Sequence, residues 1–283
     1  MRPVKILTDS TNDLTPEQLR QAEVDILPLS VVFGSKSYRD GVDLNTEQLY
    51  LMVEKEGVLP KTSAIQPAVF ESTFREWVEK GYDVIYIGIG SKISSSVQTG
   101  AIIASQFDGH VEVIDSMCLS SAIGLQVLRA AKLRDQGKNL QEIASEIRLT
   151  SPKVKCAFSI DTMDYLYKGG RCNGMTYLVG KLLHIHPIIS VRDGSLTVYK
   201  TPRGKMEKAL DIMIQDFKTD LEKGIVDLDH VMITHSMGQE NAEYIYERLK
   251  NMVDPSIISI TNAGCVISSH CGKKTCGILY ITK

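Results

Sequence analysis

The sequence lacks the features that mark membrane, secreted and nucleic-acid-binding proteins. No apolar run approaches the roughly 18 residues that a membrane-spanning helix needs. The first residues enter a strand-like run without the hydrophobic region of a signal peptide. The formal net charge is only −2, without the basic excess of a nucleic-acid binder. These absences predict a cytoplasmic protein that binds no nucleic acid and contacts a membrane at most transiently.

The sequence also lacks a disulfide pattern. Its six cysteines are scattered over 283 residues, which is typical of reduced cytosolic thiols. Cys265, His270, Cys271 and Cys276 crowd one short segment, so softly ligated zinc is an alternative there. No C-x-x-C pair is present, and small buried thiols are the commoner explanation. We therefore expect no metal.

Residues 1–150 alternate between strand and helix patterns. Strands are predicted at 4–9, 25–33, 82–90 and 111–115, and the run at 82–90 is almost continuously apolar, as in a strand covered on both faces. Thr15 and Asn45 each precede a helix pattern and have Gln three residues later, which predicts capping boxes. Further helices are predicted from Pro67, at 96–107 and at 118–136, and residues 57–66 are predicted to be a loop. This alternation predicts an α/β domain with a mainly parallel sheet flanked by helices.

Residues 151–283 have a different pattern. Strands are predicted at 155–160, 188–191, 196–199, 230–234, 257–261 and 278–282, with helices at 205–223 and 239–252. Asp193-Gly194 predicts a β-hairpin, with a longer loop than two residues. A hairpin among helices indicates a mixed or antiparallel sheet. The sequence thus predicts a second α/β domain, with the boundary near Thr150.

Two candidate phosphate-binding motifs are incomplete. Gly88-Ile89-Gly90 follows a strand and Asp115 ends the next one, but Ile93 replaces the third glycine of a dinucleotide fingerprint. Gly272-Lys273-Lys274-Thr275 resembles the end of a P-loop, but Ile267 occupies the position of its first glycine. We therefore expect no nucleotide cofactor.

Two hydroxyl-rich segments are candidates for anion binding. Ser94-Ser95-Ser96 lies between a buried strand and a helix, where serines act as N-caps or present donors to an anion. Thr62-Ser63 is either a solvated loop or a second hydroxyl clamp. Ligands of parallel sheets bind at the carboxyl ends of the strands, and Asp9-Ser10-Thr11 is predicted to share that rim. The residues alone therefore indicate a two-domain α/β protein that binds a small anion.

An ordered set of short motifs points to one family. The set comprises Asp9-Ser10-Thr11, Asp40-Gly41-Val42-Asp43, Lys61-Thr62-Ser63, Ile93-Ser94-Ser95-Ser96, Gly169-Gly170-Arg171, His186-Pro187-Ile188, Asp193-Gly194, Arg203 and Ser269-His270. Over essentially its whole length the chain resembles the DegV family of bacterial fatty-acid-binding proteins (the FakB type). Two departures from the family pattern are Ser95, where a glycine is usual, and Lys273-Lys274, where proline and glycine are usual.

The resemblance implies a long-chain fatty acid in a buried tunnel between or beneath two domains. It also implies functional roles for two arginines and a histidine. Without the resemblance, the arginines would be interpreted as surface residues and the histidine as a core residue. The implied carboxylate-binding residues are Thr62, Ser63, Ser94, Ser96 and His270. Arg171 is implied in the head-group or phosphoryl region, and Arg203 on the face that docks the partner.

The implied partner is a separate fatty acid kinase, a dihydroxyacetone-kinase-like protein that uses ATP to make acyl phosphate for phospholipid synthesis. In this interpretation the protein is not itself an enzyme, needs no cofactor and is a monomer. One alternative is a lipid store or sensor without kinase coupling. Another is a hydrolase that pairs Ser94 with His270, although no G-x-S-x-G elbow is present.

Overall fold

The computed structural model describes residues 2–171 and 185–283. A four-stranded parallel sheet forms in the order β2-β1-β6-β7. Its strands are β1 (Val4–Asp9), β2 (Val24–Leu27), β6 (Asp83–Gly88) and β7 (Val111–Asp115). The parallel sheet predicted for the first half of the chain is confirmed.

Helices connect and cover these strands. They are α1 (Pro16–Gln21), α2 (Thr46–Glu56), α3 (Pro67–Glu79), α4 (Ser96–Ala104), α5 (Ser121–Asp135) and α6 (Leu140–Thr150). The capping boxes predicted at Thr15 and Asn45 are both present. Helix α6 was not predicted, and α5 begins three residues later than the pattern indicates.

One predicted strand is two strands in different sheets. The prediction for 25–33 is wrong because the chain leaves β2 at Leu27, passes through Pro28, and begins β3 (Ser30–Phe33). Proline has no N–H to donate to a ladder, so the strand breaks there. β3 pairs antiparallel with β4 (Lys36–Arg39) and β5 (Lys61–Ser63). Residues 57–66, predicted as a loop, therefore contain a strand.

The second half forms a six-stranded mixed sheet in the order β10-β9-β8-β13-β11-β12. Its strands are β8 (Val154–Ser159), β9 (Ile188–Arg192), β10 (Ser195–Lys200), β11 (Val226–Ser236), β12 (Ile258–Asn262) and β13 (Thr275–Thr282). Only β11 and β12 pair in parallel. The predicted mixed sheet is confirmed.

The hairpin of this sheet is tighter than predicted. Arg192 and Ser195 are direct partners, so the loop is Asp193-Gly194 alone. Both residues have positive φ, 47° and 75°, the geometry of a type I′ turn that matches the twist of the strands. The prediction of a longer loop is wrong.

Four described helices accompany the mixed sheet. They are α7 (Asp164–Lys168), α8 (Met206–Glu222), α9 (Gln239–Leu249) and α10 (Cys265–Cys271). The sequence did not predict α10, because seven residues between Gly264 and Gly272 give too short a pattern. No described helix is both long enough and apolar enough to cross a bilayer.

Helix α5 joins the two larger sheets. It contacts β1 and β6 of the parallel sheet and β11 and β13 of the mixed sheet. Ile123 and Val127 on it are fully buried in a core that includes residues of both sheets. All strands of the parallel sheet precede residue 116 and all strands of the mixed sheet follow residue 153. A domain boundary at residue 150 remains a prediction.

Candidate functional site

A cavity lies between the carboxyl ends of the parallel strands and the mixed sheet. It encloses about 830 Å³ of space between atoms, including its mouth. Most of its wall is apolar. Side chains that form this wall include Ile89, Leu119, Phe158, Leu166, Leu196 and Leu279. The cavity can therefore accept a hydrocarbon chain.

Five predicted site residues line this cavity. They are Thr62, Ser63, Ser94, Arg171 and His270. Thr62 and Ser63 belong to β5, Ser94 lies in the loop between β6 and α4, and His270 lies in the last turn of α10. These three segments and the Gly169-Gly170-Arg171 turn thus meet at the cavity, and the five side chains are here called the head-group wall.

Ser96 supports this wall from behind. It is fully buried, and its Oγ lies 3.1 Å from Oγ of Ser94. The same Oγ accepts a hydrogen bond from the backbone N–H of Ile65 at 3.4 Å. Ser96 therefore connects the Ser94 loop to the chain just beyond β5. Ser94 lines the cavity, whereas Ser96 does not.

Thr62 and His270 form a hydrogen-bonded pair. Oγ1 of Thr62 lies 2.8 Å from Nε2 of His270. Burial, with the charge of Arg171 as a smaller cause, lowers the pKa of His270 to about 4. The imidazole is therefore neutral at pH 7. When its Nε2–H donates to Thr62, the Thr62 hydroxyl hydrogen is left to point at a ligand.

The Gly169-Gly170-Arg171 turn fits against His270. A Cβ on Gly169 would lie 2.2 Å from Nδ1 of His270, so only glycine leaves room for the ring. Nδ1 is buried and has no hydrogen-bond partner among the described residues. Arg171 folds back to donate from Nη1 to the Gly169 carbonyl at 2.7 Å. The turn therefore fixes the positions of both the His270 imidazole and the Arg171 guanidinium.

Arg171 also lines a second cleft outside the cavity. Lys92, Gly170, Arg171 and Ser195 line this outer cleft, which shares Ile93 and Leu196 with the cavity. Nζ of Lys92 donates to the carbonyl of Asp193 at 2.7 Å. Within the described ranges, neither Lys92 nor Arg171 forms an ion pair with a carboxylate. The outer cleft is therefore suited to an anionic group.

Arg203 lies apart from the cavity. It is exposed, does not line the cavity, and forms an isolated bridge with Ile185. Its predicted role in docking is compatible with this surface position and stays a prediction.

Other hydroxyls of the cavity wall were not predicted. Thr234 and Ser236, at the end of β11, and Ser120, before α5, also line the cavity. Each bonds inside the protein: Thr234 donates to Ser121 at 2.7 Å, Ser236 lies 2.6 Å from the Tyr50 hydroxyl, and Ser120 bonds Asp13. Their polar atoms are satisfied, so they do not compete with the head-group wall for a ligand.

The residues of the incomplete dinucleotide-binding motif, Gly88-Ile89-Gly90 and Asp115, have a structural role. Oδ1 of Asp115 accepts from the N–H groups of Ser91 and Met117. A Cβ on Gly90 would lie 3.1 Å from the backbone nitrogen of Cys118. These residues hold the two loops together. Across residues 2–171 and 185–283, no three His, Cys, Asp or Glu side chains are grouped to hold a metal ion.

Comparison with known proteins places the chain in a family. The model of the family described as "Uncharacterised protein, DegV family" matches residues 3–283. The chain belongs to the DegV family. A DegV domain-containing protein of Clostridium acetobutylicum is 33% identical to it over the whole of both chains.

Solved DegV structures share the fold. A Thermus thermophilus DegV family protein, described by its fatty acid binding, superposes with a TM-score of 0.91 at 26% identity over all of both chains. DegV of Bacillus subtilis, described as a fatty acid binding protein, gives a TM-score of 0.87 at 27% identity over all of both chains. The resemblance inferred from the motifs is confirmed.

Proposed function

We propose that this protein binds a long-chain fatty acid, with its tail in the apolar cavity and its carboxylate at the head-group wall. The observation that carries this proposal is the convergence of Thr62, Ser94 and His270 on a mostly apolar cavity. Burying each CH₂ of the tail contributes about 0.8 kcal/mol. The fatty acid binding named for the Thermus thermophilus and Bacillus subtilis proteins supports the same ligand class.

The head-group wall offers neutral hydroxyl donors, with one guanidinium at its edge. A buried carboxylate is costly unless hydrogen bonds satisfy it. The hydroxyls of Thr62 and Ser94 supply such bonds, with Ser63 beside Thr62 and Ser96 behind Ser94. Neutral His270 orients Thr62, and the Arg171 guanidinium balances the ligand's charge from the edge of the cavity.

We further propose that the bound carboxylate is presented to a separate fatty acid kinase. In that reaction a carboxylate oxygen attacks the γ-phosphorus of ATP, the acyl O–P bond forms, and ADP leaves. The outer cleft supports this step, since Lys92 and Arg171 line it and neither pairs with a described acid. Exposed Arg203 would contact the kinase. The protein would act in the cytoplasm as a monomer of two domains divided near residue 150.

The hydrolase alternative is less well supported by the contacts. Nε2 of His270 bonds Thr62, whereas Oγ of Ser94 has Ser96 as its hydroxyl partner. Nδ1 of His270 has no carboxylate to orient it in the described part of the chain. A serine nucleophile needs both contacts. A lipid store or sensor remains the second candidate, and failure of a fatty acid kinase to use the loaded protein would favour it.

Binding can be tested by titrating delipidated protein with stearic acid and with stearyl alcohol. Thr62→Val and Ser94→Ala should each weaken stearic acid binding about tenfold, the value of one hydrogen bond to a charged group, and leave alcohol binding nearly unchanged. Ser72→Ala on the exposed face of α3 is the matched control. Equal losses for acid and alcohol would contradict the assignment of the carboxylate to this wall, and absence of stearic acid binding by the wild type would refute the function.

A further inference from the structure

The N-terminus of α10 is held by the buried carboxyl groups of two aspartates that are distant in sequence. Oδ1 of Asp40 accepts from the N–H of Cys265 at 2.7 Å, and its Oδ2 accepts from the N–H of Val266 at 3.2 Å. Oδ1 of Asp13 accepts from the N–H of Gly264 at 2.8 Å. The helix therefore has no cap from its own sequence, and residues more than 220 positions away take that role.

This arrangement leaves little freedom at the start of the helix. The first N–H groups of a helix have no partner within it, and here three consecutive N–H groups donate to aspartate side chains. Asp40 is itself fixed, because Oγ of Ser10 donates to its Oδ2 at 3.0 Å. A Cβ on Gly264 would lie 3.2 Å from Oδ2 of Asp40. The backbone thus fits closely against both aspartate side chains.

The other end of the same helix carries His270. Helix α10 has seven residues, so about 10 Å of rigid helix separates its two ends. The Thr62–His270 bond spans 2.8 Å, and hydrogen bonds weaken steeply when donor and acceptor move out of reach. A shift or rotation at the first turn of α10 therefore moves the imidazole relative to Thr62.

We propose that Asp40 is a positioning residue for the head-group wall, acting through α10 to place His270 against Thr62. Asp40 touches no ligand, since it does not line the cavity. This role rests on the proposed fatty acid binding. The proposed role of Asp40 extends the site to the loop before α2. Asp13 makes a similar contact with the start of α10 from the loop after β1.

The test compares Asp40→Asn with the control variant Asp43→Asn. Asp43 lies in the same loop, is exposed and forms an ion pair with Arg39. Stearic acid and stearyl alcohol are the probes, and thermal melting checks that each variant folds. Asp40→Asn should weaken stearic acid binding at least tenfold and alcohol binding less than threefold, with Asp43→Asn unchanged. Should Asp40→Asn fail to fold, Ser10→Ala removes one support of Asp40 and should show the same acid-selective loss at smaller size.

A second measurement separates positioning from general destabilisation. Nitrogen-15 NMR of the His270 ring, assigned by its disappearance in His270→Ala, should show one neutral tautomer in the wild type and a mixture in Asp40→Asn. The double variant Asp40→Asn/His270→Ala should bind stearic acid no more weakly than His270→Ala alone. Additive losses, or an unchanged ring spectrum with a folded variant, would overturn the proposal. A wild type that binds no stearic acid would refute the proposed function, while the ring spectrum would still test the role of Asp40.

Discussion

Gly169 and His270 fit together so closely that a single added carbon at Gly169 would lie 2.2 Å from Nδ1 of the imidazole. Gly169→Ala therefore displaces His270 and breaks its bond to Thr62. We expect a loss of about 1–3 kcal/mol in unfolding free energy, typical of overpacking, and at least tenfold weaker stearic acid binding by calorimetry. In the background of His270→Ala, which removes the ring, the same change should cost little further affinity; a full additional loss would show that the two residues act separately.

His270 should make the stability of the protein fall in acid. Its pKa in the folded state is about 4, mainly because the ring is buried, whereas an unfolded histidine has a pKa near 6.5. Between these values the unfolded chain binds more protons, so acidification favours unfolding, by up to about 3 kcal/mol in total. Denaturant titrations from pH 7 to pH 4 should show a smaller loss in His270→Asn than in the wild type. An identical loss would contradict the burial of a neutral ring.

Asp13 should give the opposite dependence in alkali. Burial is the largest cause that raises its pKa to about 8, and repulsion by Asp40 and Asp9 adds to it. The folded state then holds a proton that the unfolded state has lost, so stability falls as the pH rises through 7 and 8. Asn tolerates the left-handed conformation of Asp13, φ 51°, and keeps an acceptor for Gly264.

Asp13→Asn should therefore be more stable than the wild type at pH 9 relative to pH 6.5. His270 is present in both proteins, so its own titration near pH 6.5 cancels in this comparison. Chemical denaturation at the two pH values measures this difference, and Asp25→Asn, at an exposed residue, serves as the control. A wild type whose stability does not change between these pH values would contradict a protonated Asp13.

Arg171 should separate binding from phosphoryl transfer. Arg171→Ala leaves the hydroxyls of Thr62 and Ser94 in place, so stearic acid binding should fall less than tenfold. A guanidinium that stabilises the transferring phosphoryl group contributes a factor of about 10³ or more. With a fatty acid kinase and ATP, acyl-phosphate formation should fall at least a hundredfold. Arg75→Ala, on an exposed helix face, is the control, and parallel losses of binding and turnover would refute the division of roles.

The sequence predicted the layers of the fold better than its small elements. Long apolar runs such as 82–90 and capping boxes such as that of Thr15 are local signals, and the structure confirms them. The three-stranded sheet and α10 were missed, because strands of three or four residues and a helix of seven carry too little periodicity. These missed elements are the ones that carry Thr62 and His270.

Only the site residues that lie within the family motifs could be predicted from the sequence. Thr62, Ser94 and His270 line one cavity, yet no spacing in the sequence indicates that Thr62 and His270 are hydrogen-bonded across 208 residues. Asp13 and Asp40 lie within polar motifs that have no local reason to bind α10. Their role depends on tertiary contacts over more than 220 residues.

The central claim is that the cavity holds a long-chain fatty acid. Native mass spectrometry of the purified protein, followed by organic extraction and mass analysis of the released material, tests this most directly. We predict one molecule of a long-chain fatty acid per chain, which disappears on extraction and returns when stearic acid is added. A protein that is empty as purified and also fails to take up added stearic acid would contradict the account.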